Sequence, residues 1–301
     1  MTSVVETLQN FLAQACKEPV SVSSDIVDEF GELCKEAFKK QFTQEREKEF
    51  RIRMSNVGRP ICQLQMEKQN KNEDFEEQAY NSKLRNLFGD LIEIIVLAIM
   101  RASNVNVESY QRHVKYKIHD KLEMSGSTDV EIDGKVYDIK SASPFSYDKK
   151  FGKDGGGFKK VADEDVFGYL SQGYLYAEAL GKPFGGWIVI NKSTGQIQLT
   201  APPSEDSEYK DKALSIAKTN AQTLLEDKEF KRCFTDEEET FRQVKTGNRV
   251  LGTVCSFCAY KKPCWGDNLQ FLPQQQSKAR SPKWFWYTQV NQPREDNDVG
   301  Q

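Results

Sequence analysis

Apolar and polar residues recur with two different periods along this chain, and the period predicts which segments form helices and which form strands. Apolar residues three and four positions apart predict helices over 5–50 (one or two helices), 83–102, 164–180 and 205–228. Alternation with a period of two predicts strands near 113–119, 127–132, 135–141, 186–191 and 196–200. This order of elements predicts an α/β core with appended helical material.

The same pattern divides the 301 residues into four parts. We expect an N-terminal helical segment, a core, a C-terminal lobe with clustered cysteines and a disordered tail, with bounds at 1–82, 83–230, 231–291 and 292–301. Within the core, residues 142–163 are rich in proline, lysine and glycine, and we predict a flexible loop there.

The segment from Gly126 to Lys140 predicts a tight β-hairpin, because an Asp-Gly pair at 133–134 is a strong two-residue turn signal. That turn places Asp129 directly opposite Asp138, with Cβ atoms roughly 4.5–5.5 Å apart. Lys140 follows two residues later and therefore points to the same face of the strand. The opposite face carries apolar residues and is predicted to be core.

Two carboxylates in cross-strand contact repel each other unless positive charge lies between them. A divalent cation with oxygen ligands is the natural occupant of such a pair, with the neighbouring lysine available for catalysis. The alternative interpretation is a solvated polar face on which Asp129 and Asp138 are merely exposed.

Glu93 lies within the segment Leu91–Met100, which is apolar nearly all round and predicts a buried helix. An ionised carboxylate in such a helix is costly unless it is paired or binds a metal ion. We expect Glu93 to join the two aspartates as a third metal ligand. The alternative is pairing with an arginine such as Arg85 or Arg101.

Gln172 and Tyr176 are four residues apart on a predicted helix and therefore share one face. Both side chains form hydrogen bonds that could orient a phosphate or a base near the metal site. Polar residues that simply cap a packed helix are the alternative.

Seven cysteines without an export signal indicate a reducing compartment, where clustered cysteines more often hold metal than form disulfides. Three of them form a Cys-x2-Cys-x5-Cys cluster at Cys255, Cys258 and Cys264. A fourth ligand must come from elsewhere, and Cys62 is the first candidate and Cys233 the alternative. Spacing alone leaves both zinc and a 4Fe-4S cluster open. Two further cysteines at helical positions, 16 and 34, are expected to be buried apolar residues.

Basic residues offer two candidate DNA contacts. The first is the predicted loop, which carries Lys149, Lys150, Lys153, Lys159 and Lys160, although lysines in loops are most often only solvated. The second is the segment Lys278–Tyr287, in which aromatic residues alternate with cations and could stack on single-stranded bases. For this segment we favour the alternative of a buried edge strand of the core.

Overall charge and hydropathy narrow the function classes. The chain has 42 Lys and Arg against 45 Asp and Glu, a net charge of −3, which excludes a protein that coats nucleic acid through bulk positive charge. The longest apolar run is too short to span a bilayer. The N-terminus lacks a basic segment followed by an apolar one, so we expect no signal peptide, no membrane partner and a cytoplasmic location, in the host cell if the chain is phage-encoded.

Taken in order, Gly89-x3-Glu93, Asp129, Asp138-x-Lys140 and Gln172-x3-Tyr176 resemble the motifs of the PD-(D/E)XK nuclease superfamily, and the last motif is similar to that of its RecB-like exonucleases. One upstream cysteine with a distal Cys-x2-Cys-x5-Cys is similar to the iron–sulfur branch, which includes CRISPR-adaptation nucleases, AddB-type nuclease domains and phage exonucleases. The resemblance covers about residues 56–265. Many RecB-like members have histidine in place of Glu93 and glutamate in place of Asp138, which leaves the preferred metal open.

The resemblance implies an α/β fold with a restriction-endonuclease-like core, in which helices flank a mixed central β-sheet. This core would bind one or two Mg²⁺ or Mn²⁺ ions. The implied ligands are Glu93, Asp129, Asp138 and the backbone carbonyl of Ile139, with Lys140 orienting or deprotonating the attacking water. It further implies that Gln172 and Tyr176 position the substrate strand. A structural 4Fe-4S cluster, with zinc as the alternative, would be held by Cys62, Cys255, Cys258 and Cys264.

The function implied is a metal-dependent exonuclease that degrades single- or double-stranded DNA from its ends in recombination, repair or DNA degradation. A recombination or single-strand-annealing protein is the protein partner that such an activity suggests. One alternative is a catalytically silent nucleic-acid-binding module of the same fold, against which an intact Asp129, Asp138 and Lys140 set argues. A structure-specific endonuclease is the other, and cleavage of closed circular substrate would reveal it.

Overall fold

The computed structural model describes residues 3–44, 49–69 and 81–291. The predicted tail at 292–301 lies outside the described residues. The helices are α1 Val4–Ala15, α2 Ser24–Phe42, α3 Ile61–Gln69, α4 Asn81–Ala102, α5 Pro144–Ser146, α6 Gly157–Asp163, α7 Tyr169–Leu180, α8 Ser207–Leu225, α9 Thr253–Ser256 and α10 Lys261–Trp265. The strands are β1 Val107–Tyr110, β2 His113–His119, β3 Leu122–Ser127, β4 Val130–Ile132, β5 Lys135–Ala142, β6 Phe184–Asn191, β7 Ile197–Thr200, β8 Glu237–Phe241, β9 Val244–Val250, β10 Gln270–Pro273 and β11 Trp284–Gln289.

These elements form two compact units. The described residues of Met1–Arg59 and Gln78–Glu226 make up the first, and those of Pro60–Glu77 and Asp227–Gln301 make up the second. The first unit therefore takes in the N-terminal helices α1 and α2, and the second takes in helix α3 together with the C-terminal part of the chain.

The first unit contains a five-stranded sheet in the order β1-β4-β5-β6-β7. Strands β5 and β6 are parallel and the other neighbours are antiparallel, so the predicted α/β fold with a mixed central sheet is confirmed. All residues of β6 are buried, as its continuous apolar run requires of a central strand. A separate pair, β2 and β3, forms a two-stranded sheet.

Helices cover both faces of the five-stranded sheet. Residues Val96 and Met100 of α4 and Leu8 of α1 pack with Ile139 and Ile188 on one face. On the other face, residues of α7 and α8 pack against the sheet in a second apolar cluster that includes Leu175, Ala217, Val136, Trp187 and Val189. The two faces of β5 therefore differ. Ile139 faces α1 and α4, whereas Asp138 and Lys140, which alternate with it, face α7.

The predicted loop at 142–163 is wrong, because this segment is helical. It contains α5, a π-helical turn Tyr147–Phe151, a 3₁₀ turn Lys153–Gly155 and α6. Two side chains, Tyr147 and Phe151, are buried in the core on the α7 side. Apolar anchoring of this kind orders a segment whose glycine and lysine content reads as flexible.

Helix α7 begins at Tyr169 and not near Glu164 as predicted. The carboxylate of Asp165 accepts hydrogen bonds from the backbone N–H groups of Phe167, Tyr169 and Leu170 at 3.3, 3.0 and 2.8 Å. These bonds satisfy N–H groups that a helix start leaves without intrahelical partners. Asp165 therefore sets the position at which the helix starts.

The second unit contains a four-stranded antiparallel sheet in the order β10-β11-β9-β8. Its buried centre includes Glu239, which accepts hydrogen bonds from Tyr287 (2.6 Å), Thr246 (2.8 Å) and Asn248 (2.9 Å). A buried carboxylate is tolerated when its lone pairs are satisfied in this way.

Candidate functional site

The predicted hairpin forms in the predicted register. Strands β4 and β5 pair with Ile132 opposite Lys135, and residues 133–134 adopt φ values of 47° and 73°. Positive φ at both central positions is what a two-residue type I′ turn requires, and Asp-Gly accommodates it well. Continuing the register beyond the end of β4 brings Asp129 beside Asp138.

Both aspartates are buried, and their carboxyl groups carry raised pKa values. Burial raises the pKa of Asp129 well above its usual range, and the charges of Asp138 and Glu93 raise it further. Burial also raises the pKa of Asp138, against the opposing charge of Lys140. The backbone N–H of Ile139 donates a hydrogen bond to Asp129 Oδ2 at 2.7 Å. The pair therefore favours a bound cation or a proton.

Lys140 brings positive charge to this pair. Its Nζ donates to Asp138 Oδ1 at 2.8 Å and to Gln172 Oε1 at 3.3 Å, and it lies 4.8 Å from the ring centroid of Tyr169. Burial lowers the pKa of this lysine, but the charges of Asp138 and Asp129 outweigh burial and raise it. The ammonium group therefore stays protonated at neutral pH.

Two oxygen atoms at this site could still coordinate a cation, namely Asp138 Oδ2 and the backbone carbonyl oxygen of Ile139. Asp138 Oδ2 is buried and lies 2.7 Å from Lys140 Nζ, yet accepts no hydrogen bond of good geometry from any described residue. The N–H of Ile139 points to the side on which β4 has ended, and in a strand its carbonyl points to the same side. Hard oxygen donors of this kind suit Mg²⁺ or Mn²⁺.

Glu93 is close enough for its charge to interact with the same groups. Burial raises its pKa to about 7, with the charge of Asp138 adding to this and that of Lys140 opposing it. The side chain accepts a hydrogen bond from Gln111 Nε2 at 3.2 Å. It lines a cavity of about 450 Å³ that also contains Asp90.

Pairing of Glu93 with Arg101, one alternative for this residue, does not occur, because Arg101 forms an ion pair with Glu29. Across the described part of the chain, no group of three or more His, Cys, Asp or Glu side chains has a geometry ready to hold a metal ion. The carboxyl groups of Glu93, Asp129 and Asp138 therefore interact electrostatically, and the ammonium group of Lys140 lies against Asp138.

Gln172 and Tyr176 share the face of α7 that looks onto this site. Besides the contact of Gln172 with Lys140, the two side chains are hydrogen-bonded to each other. Burial and then the charges of Asp129 and Asp138 raise the pKa of Tyr176 to about 12. A Cβ at Gly126 would lie 2.6 Å from the Tyr176 hydroxyl, so only glycine allows this approach.

The structure adds aromatic residues that the motif analysis missed. The ring of Phe167 stacks on that of Tyr169 with centroids 5.3 Å apart, and Lys150 Nζ lies 4.8 and 5.2 Å from these two centroids. We call the row Lys150, Phe167, Tyr169 and Lys140 the aromatic ladder. Its signal in the sequence is the spacing of Phe167 and Tyr169 just before Gln172, which reads equally well as ordinary core.

The remaining lysines of the predicted DNA-binding set are arranged differently from Lys150. Lys159 and Lys160 form ion pairs with Asp163 and Glu164, one turn further along the chain. Two others, at 149 and 153, line a cavity of about 960 Å³. Of the set, only Lys150 belongs to the ladder that reaches Lys140.

Five cysteines of the second unit lie close enough to interact electrostatically, although no three of those described are arranged to hold a metal ion. The thiols of Cys255, Cys258 and Cys264 lie on and between the short helices α9 and α10, and both Cys62 and Cys233 interact with them electrostatically. Burial raises the pKa of Cys255 to about 11, and the charges of neighbouring cysteines add to the shift. All are free thiols. A soft cation would relieve the repulsion between their thiolates.

Both candidates for the fourth ligand are in this group. The backbone N–H of Cys62 donates to Cys233 Sγ at 3.1 Å. A side-chain hydrogen bond between the two thiols lowers the pKa of Cys233 to about 7 and raises that of Cys62. The choice between them therefore stays open.

Of the two remaining cysteines, Cys34 packs partly buried against an apolar cluster of α2 and α4. The prediction that Cys16 is buried is wrong. It caps the C-terminal end of α1 and is exposed, because α1 turns only its Val5 and Leu8 side fully into the core.

Comparison with known proteins adds little. No protein-family model and no curated protein matches the sequence. Among solved structures, the chain is similar to the one titled "Crystal structure of SSO0001", with a TM-score of 0.41 and 13% identity over 78% of this chain and 93% of that chain. A likeness this weak carries no argument about function.

In the described part of the chain, no helix combines the length and hydropathy needed to span a membrane.

Proposed function

We propose that this chain is a metal-dependent deoxyribonuclease that degrades DNA from its ends. The observation that carries the proposal is the buried pair of Asp129 and Asp138 on one strand face, with Lys140 against Asp138 and one carboxylate oxygen left without a hydrogen bond. Repelling buried carboxylates are costly for a fold and are kept where they hold a metal ion for chemistry.

Asp129, Asp138, Glu93 and the carbonyl of Ile139 are the groups that would hold Mg²⁺ or Mn²⁺. When bound, such an ion polarises the scissile phosphate and lowers the pKa of a coordinated water. The residues fit the ion because all four supply hard oxygen donors, and because burial and the charges of neighbouring carboxylates make an unpaired negative charge unfavourable there.

Lys140 contributes a fixed positive charge. Its pairing with Asp138 and its position over Tyr169 hold the ammonium in place. From there it can orient the attacking water by hydrogen bonding and offset the negative charge that develops on the phosphate in the transition state. Its raised pKa favours this electrostatic role over that of a general base at neutral pH.

Gln172 and Tyr176 would position the substrate strand through their hydrogen-bonding groups. The aromatic ladder extends the same site outwards, because Phe167 is exposed and Lys150 lies against its ring. A terminal base stacked on Phe167 would have a cation beside it for its phosphate. Such an arrangement suits a DNA end better than an uninterrupted duplex.

For the second unit we propose a structural 4Fe-4S cluster held by Cys62, Cys255, Cys258 and Cys264, with zinc as the alternative. The supporting observation is the convergence of thiols whose burial and mutual charge raise their pKa values. Thiolates gathered in this way are stabilised by a bound metal centre, which then stabilises the fold around it.

A cleavage time course tests the nuclease. Linear and covalently closed circular DNA, each single- and double-stranded and end-labelled where linear, are incubated with Mg²⁺ or Mn²⁺ and with Lys140→Ala as control. Loss of linear DNA alone, absent in the variant, is the expected result, and label release gives the polarity. Cutting of circles would make the enzyme an endonuclease. No metal-dependent cleavage of any substrate would leave a non-catalytic binding module.

A further inference from the structure

One face of the sheet in the second unit is built from aromatic residues. Strands β10 and β11 pair with Phe271 opposite Trp286 and Pro273 opposite Trp284. Because side chains alternate along a strand, these residues share a face, and Tyr287 points to the other. We call Phe271, Trp284 and Trp286 the aromatic platform.

The platform is exposed and ordered within itself. Trp284 is 54% exposed and Phe271 is 49% exposed. The ring centroid of Phe271 lies 4.8 Å from that of Trp286 and 5.3 Å from that of Trp284, at interplanar angles of 32° and 36°. Contiguous aromatic surface left in water is unfavourable for a folded chain and usually marks a binding site.

This arrangement corrects the expectation that Lys278–Tyr287 forms a buried edge strand of the core. Strand β11 lies between β10 and β9, so it is an interior strand of its sheet. Tyr287 is the one residue of this strand that is fully buried. The Trp284 side faces solvent.

Positive charge lies beside the platform. Lys262 Nζ lies 6.0 Å from the ring centroid of Trp286, and the buried Lys261 Nζ, which donates to the carbonyl of Cys258, lies 5.0 Å from it. The connection between β10 and β11 adds three exposed cations, Lys278, Arg280 and Lys283. No aspartate or glutamate occurs in the sequence from 268 to 291. The partner that complements this surface is therefore an anion with flat apolar faces.

We propose that the aromatic platform binds single-stranded nucleic acid, with bases stacked on Trp284 and Phe271 and phosphates held by the surrounding cations. Single strands offer the base faces that a duplex keeps stacked inside. Every base has such a face, so binding depends little on sequence. This site lies in the second unit and is separate from the carboxylates proposed for cleavage in the first.

The binding test uses the full chain and a labelled oligothymidylate, with no added divalent cation so that cleavage plays no part. Fluorescence anisotropy gives the affinity for this oligonucleotide, for an abasic strand of equal length and for a blunt duplex. We expect the oligothymidylate to bind more tightly than either. Equal affinity for the abasic strand, or a preference for the duplex, would overturn the proposal.

Variants then assign the binding to the platform. Trp284→Ala combined with Phe271→Ala should weaken binding of oligothymidylate by about tenfold or more while leaving the abasic strand unchanged, because stacking contributes on that scale for each base. The single variant Trp284→Phe, which keeps an aromatic ring at this position, should bind oligothymidylate nearly as tightly as the wild type. If the double variant is folded and binds as tightly as the wild type, the platform is not the site.

Phe38→Ala is the matched control. Phe38 is 55% exposed and stacks on Phe42 at 4.7 Å, but its neighbours Lys39 and Lys40 are paired with Glu36 and Asp90. This variant should bind like the wild type. Unchanged oligonucleotide binding in the double variant together with loss of self-association in sedimentation would instead identify the platform as a protein interface. Both outcomes are independent of whether the first unit cleaves DNA.

Discussion

The carboxylates of the first unit and the cysteines of the second must both be deprotonated to hold a metal. The two groups differ in how far apart in sequence their own members lie. The contact of Asp129 with the backbone of Ile139 spans 10 residues. The contact of Cys62 with Cys233 spans 171. Each doubling of a closed loop adds about 0.6 kcal/mol of entropic cost, so the cysteine contact costs roughly 2.5 kcal/mol more to close.

This difference suggests different tasks for metal in the two units. The hairpin sets the position of the aspartates by strand register and a tight turn, so their site forms without an ion. The cysteines are held by short helices and loops, and a metal centre would crosslink distant parts of the chain there. We therefore expect loss of metal to remove activity in the first unit and stability in the second.

The largest effect should come from Lys140→Ala. Removing the ammonium should lower the cleavage rate by at least about a hundredfold, because a charge aimed at the developing phosphate charge is lost. DNA binding and far-UV circular dichroism should change little. Cleavage kinetics and anisotropy measure the two separately.

Lys182→Ala is the matched control, since Lys182 also pairs with a buried carboxylate of the same sheet, Glu131, at 2.6 Å. It should retain cleavage. Equal loss of cleavage in both variants would show that Lys140 acts only by stabilising the sheet.

Cys258→Ser tests the metal centre proposed for the second unit. It should remove the brown colour of an iron–sulfur protein and lower the melting temperature by roughly 5–10 °C, the shift expected for a few kcal/mol in a domain of this size. Visible absorption, iron and zinc content and calorimetry measure these changes. Cys16→Ser, at an exposed cysteine, should leave both colour and stability intact.

A colourless wild type that contains zinc when prepared without oxygen would replace the iron–sulfur assignment with a zinc site. Comparing Cys62→Ser with Cys233→Ser then identifies the fourth ligand. The ligand variant should lose metal stoichiometrically, whereas the other should retain it.

Glu93→Gln should make the metal-free protein more stable at pH 8 by on the order of 3 kcal/mol. The pKa of Glu93 is raised from 4.5 to about 7 in the folded state, so the folded state binds more protons and wild-type stability falls as pH rises through this window. The difference between variant and wild type should vanish below about pH 4.5, as urea unfolding across pH would record.

Glu108→Gln provides the opposite sign, because a hydrogen bond from Lys182 lowers the pKa of Glu108. Its contribution is present above the unfolded pKa and is lost as pH falls.

If the stability difference between Glu93→Gln and the wild type does not change with pH, the carboxylate of Glu93 does not interact with the charges of the two aspartates. Added Mn²⁺ should stabilise the wild type more than it stabilises Glu93→Gln.

The smallest effect should come from Phe167→Ala, at the outer end of the aromatic ladder. Loss of a stacking surface should raise KM for DNA ends by about fivefold or more and leave kcat nearly unchanged. Steady-state kinetics on short labelled ends would show this split. Phe145→Ala, at another exposed phenylalanine, serves as control, and a fall in kcat alone would place Phe167 nearer the chemistry.

Some features of the fold could be predicted because they depend on neighbours in sequence. The pairing of β4 with β5 follows from the turn at Asp133 and Gly134, whose φ values the residue types already favour. The helix α4 and the buried strand β6 follow from long apolar runs. The prediction of a flexible loop at 142–163 was wrong because buried aromatic residues order this segment in spite of its glycine content.

By itself, the sequence determined the hairpin that places Asp129, Asp138 and Lys140 on one face, since register and alternation are properties of adjacent residues. Only the tertiary structure decided which groups surround that face and which cysteines meet. The positions of Tyr169 over Lys140, of Cys233 beside Cys62 and of Trp284 on an exposed sheet face depend on contacts between segments far apart in sequence. Such contacts are selected by the packing of the whole unit, which local periodicity does not encode.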